Sequence, residues 1–503
     1  MKFNFINKTK KVVNYEGATA FVLTKEMELY TAVATAGLSD QFYEKEVAKL
    51  QRIIDLISKN DAAFVAKLAV YVREQMYLRS IPLVLTVELA KLHRGDDLVS
   101  KLAQRVVQRA DEITELLSYY AVANQRADVK QLNKLSKQLQ KGLAEAFNKF
   151  YEYQFAKYNR DAKVKLRDAL FLVHPKAKDD AQQILFNKIA KDELQAPYTW
   201  EVELSAVGQQ KFDSVELKKE AFKAKWEELI FSNKLGYMAL MRNLRNILEA
   251  EVSGEALNKV CNYLGNAQAV KNSKQLPFRF LSAYRELKEL KNGRISKVLE
   301  ALEDAVMYSA ANIAGYDENT KVVIAADVSG SMQTSISAKS KVQNFDIGLM
   351  LAMLLQSRCE SVITGMFGDK WKVINVPRKN MLANVVEFHR REGEVGYATN
   401  GYLVIQDLIQ RKKIVDKIMV FTDCQLWNNS GVASMHDVWK RYKKMAPHAK
   451  LYLFDLAGYG NTPLNVMRDD VFLIAGWSDK IFDVLAGIEK GSDALKMINS
   501  IEL

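Results

Sequence analysis

The sequence predicts an α-helical array in the first part of the chain and an α/β domain with a parallel sheet in the second. From about residue 40 to 310, apolar residues recur at intervals of three and four, as in Val47, Leu50, Ile53, Ile54 and Ile57, which is the period of an amphipathic helix. Beyond residue 320, short apolar runs alternate with helical stretches. A chain of 503 residues also exceeds one typical core, so at least two domains are expected.

Polar breaks, such as residues 93–97 and 124–128, divide the first part into successive helices. No alternating strand pattern lies between them, and no exact repeat is visible. A solenoid of degenerate helix pairs is therefore an alternative that periodicity alone does not decide. The pattern changes around residues 311–320, which predicts one domain over 1–315 and another over 316–503.

The second part alternates strands and helices, which predicts a parallel sheet with helices on both faces. The predicted strands are 321–326, 361–367, 417–422, 450–456 and 471–475, and the predicted helices lie near 343–357, 400–411 and 436–444 and from about Lys480.

Composition narrows the class of protein. The net charge of +12 can steer the chain toward polyanions, although a solvated basic surface gives the same number. The amino terminus has no apolar run after its charges, so no secretory signal is predicted. The longest apolar run, 347–355, is far below the roughly 20 residues of a spanning helix, and no membrane association is expected.

The cysteines point to a reducing compartment. The chain has three, Cys261, Cys359 and Cys424, which are widely separated and odd in number. This pattern argues against a disulfide framework and against a zinc cluster. A cytoplasmic location is therefore predicted.

A candidate metal site follows the first predicted strand of the second part. Asp327, Ser329 and Ser331 place oxygen donors on alternate residues after the apolar run 322–326, and Gly330 allows a sharp turn. Ligands of open α/β sheets bind outside the carboxyl ends of the strands, and Mg²⁺ prefers oxygen ligands with few carboxylates. Aspartate and serine are also ordinary turn residues, so a plain turn is the alternative.

Two later segments favour the metal site. Residues 418–423 form a second apolar run ending in Asp423, and Thr399 lies in a loop before a helical stretch. The pattern resembles the metal-ion-dependent adhesion site of von Willebrand factor A domains. The resemblance implies that Ser329, Ser331 and Thr399 ligate a divalent ion, with Asp327 and Asp423 binding it directly or through water. A sixth position would stay open for an acidic group of a partner; a degenerate site without metal is the alternative.

A basic window suggests nucleic-acid binding. Residues 128–178 contain twelve lysines and arginines against five acids, with Phe147, Phe150, Tyr151, Tyr153 and Tyr158 interleaved. Cations bind phosphates and aromatic faces stack on unpaired bases. The alternative is an amphipathic helix with a solvated basic face and a core-facing aromatic stripe.

Several segments together resemble one family. Residues 71–82, 170–176, 226–247 and 276–284, joined to an adhesion-type metal site, resemble the TROVE-domain proteins of the Ro autoantigen family and their bacterial relatives over nearly the whole chain. The resemblance implies a ring of HEAT-like helical repeats closed by a von Willebrand factor A domain. It implies binding of small structured Y RNAs on the outer surface and of single-stranded RNA ends in the central hole. Members act in noncoding RNA quality control, bacterial relatives work with exoribonucleases, and no catalysis is implied.

The resemblance also nominates RNA-binding residues. Lys157 and His174 match positions at which the family contacts RNA. A lone histidine is more often structural than functional, so a structural role is the alternative for His174. Asp161 stands where the family can carry a basic residue, so this part of the contact surface would either be weaker or use Arg160 and Lys163 instead.

Four other arginines have two interpretations. Arg242 and Arg245 lie three apart on a predicted helix and could face phosphates, or they could pair with Glu249 or Glu251. Arg73 and Arg79 have the same two options.

Two other function classes compete with RNA binding. A metal-dependent scaffold could recruit an acidic protein segment to the open coordination position. A nuclease is the other class, but none of the 5 histidines has metal-ligand spacing, and two-metal nucleases need more carboxylates than Asp327 and Asp423. No enzyme activity is therefore predicted.

Overall fold

The computed structural model describes residues 10–36, 45–126, 135–159, 162–275, 277–310, 319–336, 340–357, 359, 361–427, 434–476, 484–485, 487–488 and 493–503. The chain divides into two compact units, one formed by Met1–Leu50 with Gly236–Leu495 and the other by Gln51–Leu235 with Lys496–Leu503. The predicted boundary after residue 315 lies outside the described residues and stays a prediction.

The amino-terminal segment forms a small hairpin and a helix. Strands β1 (Lys11–Val13) and β2 (Thr19–Val22) pair antiparallel, and α1 (Lys25–Ala34) follows. The Thr24 side chain accepts a hydrogen bond from the Met27 N–H and so caps α1. Strands of three and four residues are too short to show a two-residue period, so the sequence does not predict them.

The predicted helical array is confirmed. Its helices are α2 (Glu46–Lys59), α3 (Ala62–Glu74), α4 (Ser80–Leu92), α5 (Leu98–Val106), α6 (Ala110–Ala123), α7 (Lys137–Phe147), α8 (Glu152–Tyr158), α9 (Leu166–Val173), α10 (Asp180–Lys191), α11 (Trp200–Gly208) and α12 (Val215–Phe231). Several begin at a side-chain cap, since Asp61, Asp179, Thr199 and Ser214 each accept a hydrogen bond from the backbone N–H three residues later.

A buried ion pair ties α3 to α6. The Arg73 guanidinium donates to both carboxylate oxygens of Glu112, at 2.8 and 3.0 Å, and to the Val106 carbonyl at 3.0 Å. Arg79 adds a contact to Glu112 at 3.3 Å and one to Asp111 at 3.1 Å. Arg73 and Arg79 therefore form ion pairs within the unit of Gln51–Leu235. Of the two options, phosphate contact and ion pairing, the structure supports ion pairing.

Helices α5 and α7 approach each other closely at Gly142. A Cβ atom there would lie 2.7 Å from the Ala103 Cβ and would also clash with the Ser100 carbonyl oxygen. Only glycine leaves room for this approach.

The remaining helices of the first part lie between residues 237 and 310: α13 (Tyr237–Arg242), α14 (Leu244–Glu249), α15 (Gly254–Leu264), α16 (Ala267–Ser273), α17 (Pro277–Lys288) and α18 (Ile295–Ala310).

The predicted parallel sheet is confirmed at all five of its strands. It comprises β3 (Lys321–Asp327), β4 (Ser361–Phe367), β5 (Trp371–Val373), β6 (Lys417–Thr422), β7 (Lys450–Asp455) and β9 (Val471–Ala475), in the order β5-β4-β3-β6-β7-β9. Strand β5, which the sequence does not predict, pairs antiparallel with β4. The short strand β8 (Asn461–Thr462) pairs with β2 and so forms a three-stranded sheet with the amino-terminal hairpin. The hairpin and β8 belong to the same compact unit.

The helices of this domain are α19 (Asn344–Gln356), α20 (Met381–Arg390), α21 (Tyr402–Gln410) and α22 (Met435–Met445), and a last helix, α23 (Ala494–Asn499), lies at the carboxyl end of the chain. Three of them were predicted and α20 was not. The helix predicted from about Lys480 lies largely outside the described residues.

Helices cover both faces of the sheet, as predicted. On one face, Val323, Ile418 and Leu451 belong to a core that includes Trp439 and Tyr442 of α22. On the other, a Cβ atom at Gly348 of α19 would lie 2.8 Å from the Phe421 Cβ, so helix and strand are in close contact. Burial on both faces explains why these strands are uniformly apolar.

The cysteines and the helices bear on the predictions of a reducing compartment and of no membrane association. Cys261, Cys359 and Cys424 are all buried. Within the described ranges, the structure contains no helix long and apolar enough to cross a membrane.

Candidate metal centre and candidate RNA-binding surfaces

The two predicted metal-site aspartates lie at the carboxyl ends of neighbouring strands. Strands β3 and β6 pair in parallel with Ala326 opposite Phe421, which brings Asp327 beside Thr422 and Asp423. Asp327 and Asp423 are both fully buried. The sheet register therefore places both carboxylates at one edge, as the sequence pattern predicts.

Hydrogen bonds hold Asp327 and the serines in place. Asp327 Oδ1 accepts the Ser329 N–H at 2.9 Å, and its Oδ2 accepts the Thr422 hydroxyl at 2.7 Å. The hydroxyl oxygens of Ser329 and Ser331 lie 3.2 Å apart, at the start of a 3₁₀ turn over Gly330–Gln333. Four of the five predicted metal residues thus belong to one buried cluster.

The fifth residue, Thr399, is joined to the loop after Asp423. Its hydroxyl oxygen accepts the Trp427 N–H at 2.8 Å, and its side chain is buried. The neighbouring Asn400 donates its backbone N–H to the Gly368 carbonyl at 3.3 Å. Two loops of the same sheet edge therefore carry Thr399 and Asp423.

The two buried carboxyl groups at this edge ionise less readily than exposed ones. Burial raises the pKa of Asp327, and the charge of Asp423 raises it further, while the Thr422 hydrogen bond opposes both. Burial likewise raises the pKa of Asp423, against the hydroxyl of Ser331 and the Gln425 N–H. A cation between the two carboxylates would relieve this repulsion.

The donor set fits a hard cation. Oδ2 of Asp423 and Oδ1 of Asn400 are buried and have no hydrogen-bond partner among the described residues. Among the described residues, no three His, Cys, Asp or Glu side chains come together as a possible metal site. The cluster at this edge therefore differs from such sites, because most of its oxygen donors are hydroxyl groups. Two carboxylates with several hydroxyls match the preference of Mg²⁺ for oxygen ligands and retained water.

A third aspartate at this edge was missed from the sequence. Asp455 ends β7, is fully buried, and accepts the N–H groups of Ala457 and Gly458 at 3.0 and 2.7 Å. Burial raises its pKa to about 6, against these hydrogen bonds and the charge of Lys49. The ammonium of Lys49 donates to the Ala457 carbonyl at 2.7 Å. The apolar run before Asp455 was the available signal, because it repeats the pattern before Asp423.

The basic window separates into a core and a surface. Phe147 and Phe150 are buried, as the amphipathic-helix alternative expects, whereas Tyr151 and Tyr153 are 68% and 51% exposed. The tyrosines lie at and near the start of α8, and exposed lysines accompany them. The Lys157 ammonium is 5.8 Å from the Tyr153 ring centroid, and the Lys178 ammonium is 5.3 Å from that of Tyr151. We call Tyr151, Tyr153, Lys157 and Lys178 the α8 surface.

The other nominated residues of this window are also exposed where they are described. His174 ends α9 with a left-handed backbone, φ 51°, and donates its N–H to the Leu170 carbonyl at 3.0 Å. Its imidazole and the Lys163 side chain are exposed. Arg160 and Asp161 lie outside the described residues.

Arg242 and Arg245 line a cleft between helices α13, α14 and α17. The cleft has a volume of about 290 Å³ and also contains Arg279. Arg245 pairs with Glu249 at 2.9 Å and with Glu286 at 3.7 Å, so one of its two predicted partners is confirmed. Arg242 is exposed and forms no ion pair in the described part of the chain. Burial lowers the pKa of Arg279, and the nearby charge of Arg242 lowers it further.

Fold and site together define a class of proteins that join an α-helical array to a von Willebrand factor A domain. In this chain the domain carries a buried cluster of hydroxyl and carboxyl groups at the edge of its sheet. The TROVE domain family matches residues 8–225 and 190–343, and the Ro60 vWA domain family matches residues 321–488. The chain therefore belongs to the TROVE-domain, or Ro, family, whose members are RNA-binding proteins.

A solved structure supports the fold. The crystal structure of the Deinococcus radiodurans Ro (RSR) protein superimposes with a TM-score of 0.62, at 17% sequence identity, over 93% of this chain and 100% of that one.

Curated relatives match a short segment. Telomerase protein component 1 of Rattus norvegicus is 39% identical over 97 residues, which is 19% of this chain and 3% of that protein. The Mus musculus protein of the same name is 37% identical over 97 residues, with the same coverage. The chain thus corresponds to only a small part of these relatives.

Proposed function

We propose that this protein binds RNA: small structured noncoding RNA of the Y type, and the single-stranded ends of misfolded RNA, in RNA quality control. The observation that carries the proposal is the α8 surface, where two exposed tyrosines lie beside two exposed lysines. Family membership supports RNA as the polyanion. Lys163, His174, Arg160 and the cleft residues Arg242 and Arg245 complete the proposed contacts.

The chemistry of the α8 surface suits unpaired RNA. An aromatic face contributes about 1–3 kcal/mol per stacked base whatever the base is, and lysines neutralise the adjoining phosphates. Neither interaction needs a catalytic group, so the protein would act by binding alone. It would form a ribonucleoprotein with its RNA, and we place this complex in the cytoplasm. An exoribonuclease partner would supply any degradation of the bound RNA.

Fluorescence anisotropy tests RNA binding. The full chain would be titrated into a stem-loop RNA with a single-stranded 3′ tail, and into a blunt duplex, across a salt series with and without a chelator. We expect tight, tail-dependent and salt-sensitive binding that survives chelation. The double variant Tyr151→Ala/Tyr153→Ala should bind the tailed RNA at least tenfold more weakly, since two stacking faces are lost. Tyr308→Ala, which removes another exposed tyrosine, is the matched control. Absence of binding at low salt would contradict the proposal.

We also propose that Asp327, Ser329, Ser331, Thr399 and Asp423 hold a divalent cation, Mg²⁺. The unpartnered Asp423 Oδ2 and the mutual repulsion of the two carboxylates support it. A bound cation would offer an open coordination position to an acidic group. This feature favours a second candidate function, recruitment of an acidic segment of a partner protein.

Calorimetric titration of the chelator-treated protein with Mg²⁺ tests the metal centre. We expect one binding event in the wild type and none in Asp327→Ala. Equal heats in both proteins would contradict the proposed site. RNA binding that survives chelation would separate the two candidate functions, because lysine and arginine bind phosphates without the ion. Absence of RNA binding at low salt would make the metal-dependent scaffold the better account of the protein.

A further inference from the structure

The turn that joins β1 to β2 lies against the loop that carries Asp423. The Asn14 side-chain amide donates to the Leu426 carbonyl at 2.8 Å, and the Tyr15 N–H donates to the Gln425 side-chain oxygen at 3.0 Å. Both acceptors belong to the segment immediately after Asp423. The turn and the proposed metal centre therefore share one loop, although they come from distant parts of the chain.

The turn has a defined conformation. Oδ1 of Asn14 accepts the N–H groups of Glu16 at 3.1 Å and Ala18 at 2.8 Å, and the Asn14 carbonyl accepts the Gly17 N–H at 3.0 Å. Gly17 has a φ of 79°, a left-handed conformation that glycine adopts without steric cost. The Tyr15 ring packs edge-on against Tyr459, with centroids 5.5 Å apart. These contacts hold the backbone of Glu16 in one place.

A short chain of hydrogen bonds links the turn to Asp423. Gln425 is fully buried, accepts from the Tyr15 N–H through its side chain, and donates its own N–H to Asp423 Oδ1 at 3.0 Å. Glu16, the next residue after Tyr15, is partly buried. Its backbone is thus joined to Asp423 through Tyr15 and Gln425, which places Glu16 beside the proposed metal centre.

We infer that Glu16 is a third acidic group of the proposed metal centre: its charge strengthens cation binding and weakens the binding of an acidic partner segment at the open coordination position. The inference rests on the metal centre proposed above. Neither the adhesion-site pattern nor the family comparisons assign Glu16 to the site.

Both effects follow from Coulomb's law. A carboxylate near the site attracts a divalent cation, and it repels a second carboxylate that approaches the same cation. Glu16 is only partly buried, so solvent and salt screen its charge and the expected effects are moderate. The two effects have opposite signs, which a general loosening of the turn would not reproduce.

The test is Glu16→Gln in the full chain, with two titrations. Calorimetry with Mg²⁺ should show a Kd raised about threefold to tenfold by the loss of one nearby negative charge. At saturating Mg²⁺, anisotropy of a fluorescein-labelled hexaglutamate peptide should show its Kd lowered by a similar factor. Glu26→Gln, a change of the same charge in α1, is the matched control and should leave both constants at wild-type values.

Glu16→Asp separates charge from structure. It retains the carboxylate, so its Mg²⁺ affinity should stay within about twofold of the wild type. If Glu16→Asp loses as much affinity as Glu16→Gln, the turn and not the charge is responsible, and the inference is wrong. It is equally wrong if the wild type binds Mg²⁺ and Glu16→Gln matches Glu26→Gln in both titrations. If the wild type itself binds no Mg²⁺, the metal centre fails, whatever Glu16 does.

Discussion

The Thr422 hydroxyl donates a 2.7 Å hydrogen bond to Oδ2 of Asp327, and so joins the last residue of β6 to the last residue of β3. The bond fixes the orientation of a carboxylate that also accepts the Ser329 N–H. We therefore assign Thr422 a positioning role in the proposed metal centre.

Thr422→Val should weaken Mg²⁺ binding by about tenfold or more, because groups that orient metal ligands commonly contribute that much. Calorimetric titration measures it. Thr364→Val is the matched control: Thr364 is a buried threonine of β4 whose hydroxyl donates to Gln356 at 2.8 Å, away from the site. Equal Mg²⁺ affinities in the two variants would contradict the positioning role.

Asp455→Asn should change how stability depends on pH. The folded-state pKa of Asp455 is raised from 3.8 to about 6, so the folded protein binds more protons than the unfolded chain between these values. Its stabilising contribution is present below about pH 4 and is lost as pH rises through about 6. Between pH 4 and 7 the wild type should lose about 3 kcal/mol more stability than Asp455→Asn.

Urea unfolding of the chelator-treated wild type and of Asp455→Asn at both pH values measures this difference. Asp327 and Asp423 are common to both proteins, so their titration largely cancels in the comparison. Parallel stability curves would show that Asp455 titrates normally.

Arg73→Ala should destabilise the helical unit by about 3–5 kcal/mol, because it leaves the fully buried Glu112 without its main counter-charge. Lys101→Ala breaks an exposed pair with Asp97 in the same unit and should cost less than about 1 kcal/mol. Chemical denaturation followed by circular dichroism compares them. If both variants lose similar amounts of unfolding free energy, the buried Arg73–Glu112 pair contributes no more than an exposed pair.

Gly142→Ala should destabilise the unit by about 1–3 kcal/mol, since the new methyl group would clash where α5 and α7 meet. Gly208→Ala is the control at the end of α11, where the nearest atom to a new Cβ lies 3.8 Å away. It should be neutral or slightly stabilising, because alanine favours the helix. Thermal unfolding distinguishes the two, and an unchanged melting temperature for Gly142→Ala would refute the close approach.

Lys157→Ala should reduce the salt dependence of RNA binding by about one unit of slope, as expected for the loss of one phosphate contact. Lys191→Ala, another exposed lysine at the end of α10, should leave the slope unchanged. Anisotropy titrations at several salt concentrations give both slopes. A wild-type slope for Lys157→Ala would remove this residue from the proposed contacts.

The spacing of apolar and polar residues along the chain predicted most helices and strands. It also predicted two aspartates of the proposed metal centre, Asp327 and Asp423. Helical periodicity and apolar runs depend on neighbouring residues, which is why the helical array and all five predicted strands are confirmed. Asp327 and Asp423 could be placed together because the carboxyl ends of adjacent parallel strands share an edge.

Only the tertiary structure decided which residues meet across long separations. It separated the buried Phe147 and Phe150 from the exposed Tyr151 and Tyr153, which the basic window had grouped together. It paired β2 with β8, and it brought Lys49 and the Glu16 turn to the sheet edge of Asp455 and Asp423. Such contacts arise from how the elements pack, and no local spacing in the sequence encodes them.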